Sequence, residues 1–557
     1  MSNCDVQIRS EYGWLCCNEH WGSVWVKGYI FGASEVKIVV KKLMNIIETS
    51  NDEDIKNFLV AVDGHFAIVI KTPRTLFAAV DRIRSIPLFF VEGSDRILLT
   101  DQPTRLVHKL GSLESSPALD DKLMLQMSGY CSGSATLLQG VKQLQSGEYL
   151  QFSNDEKLEV SSYYNYHPAN PLVITEKIEL KRTLETTSIR ILQKIIDSAK
   201  GRLIVVPLSG GYDSRVVASG LAHLGYKNVK CFSYGQSKNF ESSISKMVAE
   251  KLGYEWKFIN LTHDIVRKDY YSDQHEDYFS FSNTFASVPV EHEFTAVRLL
   301  KESGWISDDA IFVNGMSGDF LTGSHIPKTL QDDRDNLTEQ ERKDLILSAL
   351  LDKHYSLWAH LTTSSNKKLV ADNLWYQIVN EINGLPANSH DDFGLYEFSE
   401  FKNRQTKYVI TVQRVYEFFG YEWRLPLWDK EYLDYWEKIQ IAHKIDRNLF
   451  VEVMHDLDWG GVWNLKYPDP YITPKWISLV RILTKCMFVL FGRENWKKFD
   501  KKVFYYWTEI LCKMGVVSYF KVILDNRGYR NAVSWLTDDY LDKIQSISRS
   551  KKLIADE

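Results

Sequence analysis

The stretch Leu203-Ile204-Val205-Val206-Pro207-Leu208-Ser209-Gly210-Gly211-Tyr212-Asp213-Ser214 decides how this chain is read. Its apolar, branched half has the signature of a strand buried in a parallel sheet. The following run, Arg215 to Ala222, reads as a helix. Two glycines, two hydroxyls and one carboxylate lie between them. Glycine lets backbone approach a ligand closely, and a helix N-terminus aims bare N–H groups at it, so the turn is an anion cradle. Pyrophosphate is the anion that fits. Asp213 at the mouth would repel phosphate unless a divalent cation lay between them, which implies Mg²⁺. The lysine of a Walker loop is absent after the glycines. The competing reading is a tight strand-to-helix turn without a ligand.

Outward from this loop, Val229 to Gly235 reads as a second strand, Glu241 to Leu252 as a helix and Trp256 to Asn260 as a third strand. Strands alternating with helices predict an α/β fold with a doubly wound parallel sheet, its ligands at the carboxyl ends of the strands. The loop resembles the PP-loop of the ATP-pyrophosphatase superfamily (adenine nucleotide alpha hydrolase-like), which cleaves ATP between its α and β phosphates. That resemblance places Ser209, Gly210, Gly211, Tyr212, Asp213 and Ser214 around ATP.

A second constellation, Ile311-Phe312-Val313-Asn314-Gly315-Met316-Ser317-Gly318-Asp319-Phe320-Leu321-Thr322-Gly323, is again a strand running into a glycine-rich turn with one carboxylate. It resembles the Ser-Gly-Glu-Gly-x-Asp-Glu-Leu-x-Gly run of asparagine synthetases. The resemblance puts Asn314 and Gly315 near the nucleotide and makes Asp319 a second Mg²⁺ carboxylate opposite Asp213. Met316 and Phe320 stand where that family has acids, which counts against aspartate as substrate. Glu422-Trp423-Arg424-Leu425-Pro426-Leu427-Trp428-Asp429 resembles the family's Glu-x-Arg-x-Pro-x-x-Asp run. It is read as structural, with Glu422 and Arg424 on buried partners and Asp429 capping the next helix. Asn464-Leu465-Lys466-Tyr467-Pro468 is the candidate for the family's basic loop, with Lys466 as the catalytic cation. A solvated loop lysine is the alternative.

The N-terminal 165 residues read as β-rich. Val24 to Phe31 alternates as a strand, Leu59 to Ile70 reads as two strands about an Asp-Gly turn, and Thr75 to Val80 continues the pattern. Val62-Asp63-Gly64-x-Phe66-Ala67, Asp81-Arg82-Ile83-x-x-x-Pro87-Leu88 and Gly140-Val141-x-x-Leu144-x-x-Gly147 resemble the Ntn-type glutaminase sandwich of asparagine synthetases. The chemistry departs from that family. Removal of Met1 exposes Ser2 rather than cysteine, and Cys4 could act only after cleavage at Asn3. The family's Asn-Gly-Glu stretch reads Lys27-Gly28-Tyr29. The domain is expected to have lost glutaminase activity.

The 557 residues, net charge −5 and 44% apolar content predict several sizeable cores and disfavour nucleic acid as a principal partner. Seven cysteines without metal-ligand spacing predict a reduced, cytoplasmic protein. Neither a signal peptide nor a transmembrane segment is expected. The most apolar late stretch, Ile477 to Phe491, is interrupted by Arg481 and Lys485. It reads first as a buried helix and second as an interfacial one. The expected division is 1–165 glutaminase-like, 180–475 synthetase-like and 476–557 a helical extension that resembles nothing.

These resemblances imply an AMP-forming amide ligase that takes ATP, Mg²⁺, a small-molecule or glycan carboxylate and an amine donor. A homodimer is left open. The run Gly318 to Pro327, with Tyr212, resembles synthetase-like proteins among bacterial surface-polysaccharide enzymes, which implies a sugar uronic acid as acceptor. His325 could act there as a base, although a packed histidine is the plainer reading. A glutamine-hydrolysing asparagine synthetase, a peptide- or small-molecule-cyclising synthetase and a non-catalytic nucleotide-binding scaffold stay as alternatives.

Overall fold

The computed structural model describes residues 4–8, 12–32, 43, 45, 52–93, 96–109, 119–153, 158–171, 176–332, 336–472, 474–488 and 492–555. Ser2 lies outside them.

The N-terminal part is built on two sheets. A six-stranded antiparallel sheet runs in the order Glu159–Ser162, Glu148–Ser153, Thr75–Val80, Gly64–Lys71, Gly22–Ile30, Leu15–Glu19. The strand Gly64–Lys71 shows why it is covered on both faces. Phe66, Ile68 and Ile70 pack with Ile55 and Leu59. Ala67 and Val69 face the other way, toward Leu88, Phe90, Ile97 and Leu99 of the four-stranded sheet. That sheet has the order Cys4–Gln7, Ile97–Thr100, Phe89–Glu92, Lys142–Gln143. Cys4 is buried in it and all seven cysteines are free. One sequence expectation fails here. Residues 59–61 end the helix Asp52–Ala61 instead of forming a strand. Ile55 and Leu59, one helical turn apart and both buried, set the helical period.

The central sheet is wholly parallel, in the order Glu255–Asn260, Val229–Gly235, Ile204–Pro207, Ile311–Val313, Glu422–Arg424. The chain first winds outward through the helices Tyr212–His223 and Phe240–Leu252, then returns to lay Ile311–Val313 on the opposite side of Ile204–Pro207. The winding direction therefore reverses between the two strands that carry the glycine-rich turns. A crevice opens at such a switch point, outside the carboxyl ends of the strands. The fold class is the expected one: a β-rich sandwich, a doubly wound parallel sheet and a helical C-terminal part.

The two sheet systems are locked together by buried charge. The Lys27 ammonium donates to Glu417 at 2.9 Å, Arg414 to the same carboxylate oxygen at 2.8 Å and the Trp423 indole to its other oxygen at 2.9 Å. Tyr29 hydrogen-bonds His65 and accepts the N–H of Leu425. Arg82 pairs with Asp434 at 2.6 Å. Asp81 binds its own turn, accepting from the N–H groups of Phe66 and Ile83. Lys27, Tyr29 and Arg82 are thus spent on this junction.

Candidate functional site

The strand Ile204–Pro207 delivers Ser209 and the helix N-terminus to the crevice. The Ser209 N–H donates to the Ser214 hydroxyl at 3.0 Å, and the Gly211 N–H donates to the Ser209 hydroxyl at 3.1 Å. The loop is thereby closed on itself before any ligand arrives. Opposite it, Asp213 accepts the backbone N–H of Asp319 at 2.9 Å, so the two glycine-rich turns are in direct contact. Glycine makes that approach possible. A Cβ on Gly315 would lie 2.3 Å from the Asp213 carbonyl oxygen, and one on Gly318 would lie 2.8 Å from the Asp213 carboxyl carbon. Ser317, between them, takes the left-handed φ of 63° and bonds Gln405 at 2.9 Å.

A cavity of about 500 Å³ occupies the crevice. Of the residues predicted from sequence, Ser209, Asp213, Ser214, Asn314, Gly315 and Asp319 line it. Gly210, Gly211 and Tyr212 belong to the loop but are not in its wall. Tyr212 packs instead on Trp463 at 5.7 Å. Lys466 is exposed and likewise outside the lining. Its neighbours explain this. Tyr467 is held to the Val462 carbonyl and lies under Arg215 at 4.4 Å, while Asn464 bonds His455 at 2.8 Å. A cation that does reach the crevice is Arg447, 2.5 Å from Asp213. Consecutive left-handed residues, Asp446 and Arg447, turn it there.

Burial pushes Asp213 up to about 6, against the pull of Arg447 and with Asp319 adding to the rise. Its charged form is under-compensated. Asp319 behaves oppositely. Burial would raise it, but the hydrogen bond and charge of His325 hold it below the usual carboxylate range. His325 stands 3.2 Å from Asp319 and 2.5 Å from Glu400. Burial lowers its pKa, yet Glu400 and Asp319 together lift it to about 9. Held between Glu400 and Asp319, its ring is packed as the plainer sequence reading expects. Glu400 is anchored further by His354 at 3.1 Å and Gln405 at 2.8 Å.

Several wall residues carried no sequence signal. Arg404 and Gln405 come from one turn of π-helix, Glu400–Gln405, a widened turn of a kind frequent at functional sites; Glu400, in the same turn, is buried behind His325. Glu293 accepts from the Tyr416 hydroxyl at 2.5 Å, and that hydroxyl accepts from Asn314 at 2.8 Å. Burial pushes Glu293 up to about 7. Leu511, Lys513, Asn531 and Val533 close the cavity from the C-terminal region. Phe320 corrects the expectation of two lost pocket acids. It is fully buried against Trp428 and Tyr166, so only Met316 stands in the cavity wall. Glu422 is itself exposed but pairs, as expected, with a buried partner, Arg424, and also with Arg202 at the surface. Asp429 caps the helix Lys430–Trp436 as expected.

The cavity's own atoms fit a divalent cation. Two carboxylates from different strand ends supply hard oxygen donors, one of them a partly buried group whose pKa is raised by desolvation. A second, more open cavity of about 770 Å³ meets the first at His325 and is lined by Lys328, Lys353, Arg447 and Arg530. Burial lowers both Lys353 and Arg530, so these cations also lack full compensation.

Residues 202–457 match the family model described as asparagine synthase. No curated protein matches the chain. Among solved structures, one titled the allosteric regulatory enzyme of purine biosynthesis is 12% identical, covering 44% of this chain and 62% of that one, with a TM-score of 0.18. The glutamine phosphoribosylpyrophosphate (PRPP) amidotransferase from B. subtilis complexed with ADP and GMP is 12% identical, covering 54% and 57%, with a TM-score of 0.17. The chain spans about three fifths of the length of each. Likeness at this level carries nothing for fold or function, and both rest on the geometry above.

Proposed function

We propose that the part of the chain matching the asparagine synthase family model, residues 202–457, makes this protein an ATP-utilising, AMP-forming ligase that adenylates a carboxylate and passes it to an amine. The observation that carries this reading is the contact of Asp213 with the Asp319 N–H across the switch-point crevice.

The acceptor carboxylate attacks the α-phosphorus of ATP, the bond to the bridging oxygen breaks and pyrophosphate leaves. The amine nitrogen then attacks the acyl carbon, loses a proton and expels AMP. Ser209, Ser214 and the N–H groups of their loop hold the phosphates, and Arg447 places positive charge beside them. Asp213 and Asp319 would hold Mg²⁺, which neutralises pyrophosphate charge when bound. Glu293 is a wall carboxylate that burial raises to about 7, and we assign it the amine's proton. With Lys27 and Tyr29 committed to the domain junction, the amine comes from solution or from the acceptor and not from glutamine.

For the acceptor we propose a sugar uronic acid bearing phosphate, such as a nucleotide-linked uronate, in surface-polysaccharide synthesis. The cavity that meets the first at His325, whose lining carries Lys328, Lys353, Arg447 and Arg530 against Asp352 and Asp446, supports an anionic substrate. The test is ATP–pyrophosphate exchange with a UDP-linked uronic acid, a free uronic acid and aspartate. The expected order of exchange is that order. Strong aspartate-dependent exchange with asparagine formation would overturn the acceptor, and AMP release fed by glutamine with glutamate production would overturn the amine source. ATP binding without AMP or pyrophosphate release from any acceptor would favour the scaffold reading.

A further inference from the structure

The late apolar stretch is a helix, Lys475–Met487, and it is not buried. Among its described side chains only Ile477 is. Trp476, Leu479, Ile482, Leu483 and Met487 are 60–71% exposed, and Val480 is 37% exposed. Positions 476, 479, 480, 483 and 487 follow helical spacing, so they form one continuous stripe with Ile482 at its edge. The side that packs lies elsewhere on the helix. Arg481 makes two 2.6 Å bonds to Asp500 of the next helix, Arg493–Val503, and the following residue, Phe488, packs on Phe499 at 4.8 Å and Trp496 at 5.7 Å. The protein thus spends its polar contacts tying the two helices together and turns the apolar stripe outward.

Charge says what covers it. The hairpin 475–503 carries Lys475, Arg481, Lys485, Arg493, Lys497, Lys498, Lys501 and Lys502 against only Glu494 and Asp500, in a chain whose net charge is −5. Basic charge is concentrated beside a helix that exposes its apolar side. We propose that this hairpin is a binding site for the surface of an anionic lipid bilayer, with the stripe at the level of the acyl-chain boundary and the lysines against headgroup phosphates. The helix of 13 residues is about 20 Å long and lies on the bilayer without crossing it. No described helix is long and apolar enough to cross. From the hairpin the chain runs through Tyr505–Thr508 directly to Leu511 and Lys513 in the wall of the first cavity, so docking would set that wall beside the membrane. The proposal does not depend on the reaction.

The test is co-sedimentation of the full chain with phosphatidylcholine vesicles, with and without about 30% phosphatidylglycerol. Binding is expected only with the anionic lipid, weakening as salt rises. Leu479→Asp/Leu483→Asp should weaken it at least about tenfold, because each change puts a charge at the apolar boundary. Both positions are exposed, so circular dichroism and the melting temperature should be unchanged. Lys497→Glu/Lys498→Glu should weaken it as well. Absence of binding to anionic vesicles, or equal binding by wild type and Leu479→Asp/Leu483→Asp, overturns the proposal. So does a wild-type dimer that the same double substitution turns into a monomer, since a second copy would then be what covers the stripe.

Discussion

Two regions of this molecule bury charge, and they do it in opposite ways. At the domain junction, Glu417 has both oxygens taken by Lys27, Arg414 and Trp423. Burial would raise its pKa, but the two cations hold it below the ordinary value. At the crevice, Asp213 has one guanidinium and one N–H and still sits near 6. The junction's carboxylate is saturated, although burial and Arg414 still lower Lys27, and its charges serve to register one half of the protein on the other. The crevice is left short of compensation on the side that faces the cavity, where a ligand can supply it. Perturbed carboxylates facing a cleft mark function, whereas satisfied buried pairs mark structure.

If that distinction holds, function and stability should separate cleanly under mutation. Asp213→Asn and Asp319→Asn should each lower acceptor-dependent AMP release by about a thousandfold or more, the scale on which losing a charge-positioning group acts. Asp213→Asn should cost little stability. Its folded pKa is raised, so the charged form is disfavoured in the native state. The wild type therefore loses stability as pH rises through about 6, and the amide does not. Urea midpoints near pH 8 should favour Asp213→Asn or match the wild type. A variant that turns over normally would remove that residue from the site, and one that fails to fold would erase the contrast.

The junction should answer in the opposite sense. Lys27→Met leaves Glu417 buried with one cation fewer and should destabilise the fold by about 3 kcal/mol, read from denaturant midpoints. The double variant Lys27→Met/Glu417→Gln should recover much of that loss, because it removes the stranded charge as well. Pyrophosphate exchange per folded molecule should stay within about twofold. A large loss of exchange without loss of stability would show that the junction acts on the chemistry and is not only a fastening.

Glu293 sharpens the comparison because it is held by Tyr416 yet faces the cavity. Raised to about 7 from an ordinary 4.5, it favours the folded state below its ordinary pKa and loses that contribution as pH rises through about 7. Glu293→Gln should therefore gain on the wild type between about pH 5 and pH 8, by about 2 kcal/mol. The same change should leave pyrophosphate exchange intact and slow amide formation about a hundredfold, the scale of one lost base. Equal loss in both assays would move Glu293 out of the proton-transfer role.

The sequence was most readable where backbone does the work. The two glycine-rich turns, their flanking strands and the reversal between them follow from local composition, because glycine spacing and branched apolar runs act over a few residues. The rest of the site depends on pairs far apart in the chain. Glu400 meets His325 across 75 residues and Tyr416 meets Glu293 across 123. No local pattern announces a π-turn that widens a helix so that Arg404 and Gln405 face one cavity while Glu400 is buried behind His325. Phe320 was misjudged for the opposite reason. Its motif position is legible, but only packing tells that its side chain points into the core. The helix at Lys475–Met487 has an apolar period that a core helix and an interfacial helix share, and exposure alone separates them.

The smallest expected effect concerns Lys466, where motif and placement disagree. The motif makes it the cation that stabilises phosphate charge, yet it is exposed on an extended segment fixed on either side by Asn464 and Tyr467. Arg447 already stands at Asp213, at 2.5 Å. If a cation must be at the crevice to act, Lys466→Ala should change the rate of AMP release by less than about threefold. Arg447→Ala should lower it by about a hundredfold, since a charge close to the phosphates in a partly buried site is worth several kcal/mol and an exposed one is screened. The two single variants, measured with saturating ATP and the best acceptor from the exchange panel, make the comparison direct. A hundredfold loss in Lys466→Ala would mean that the segment 464–468 folds over the cavity during turnover. The exposed loop and not the buried arginine would then complete the charge that the crevice lacks.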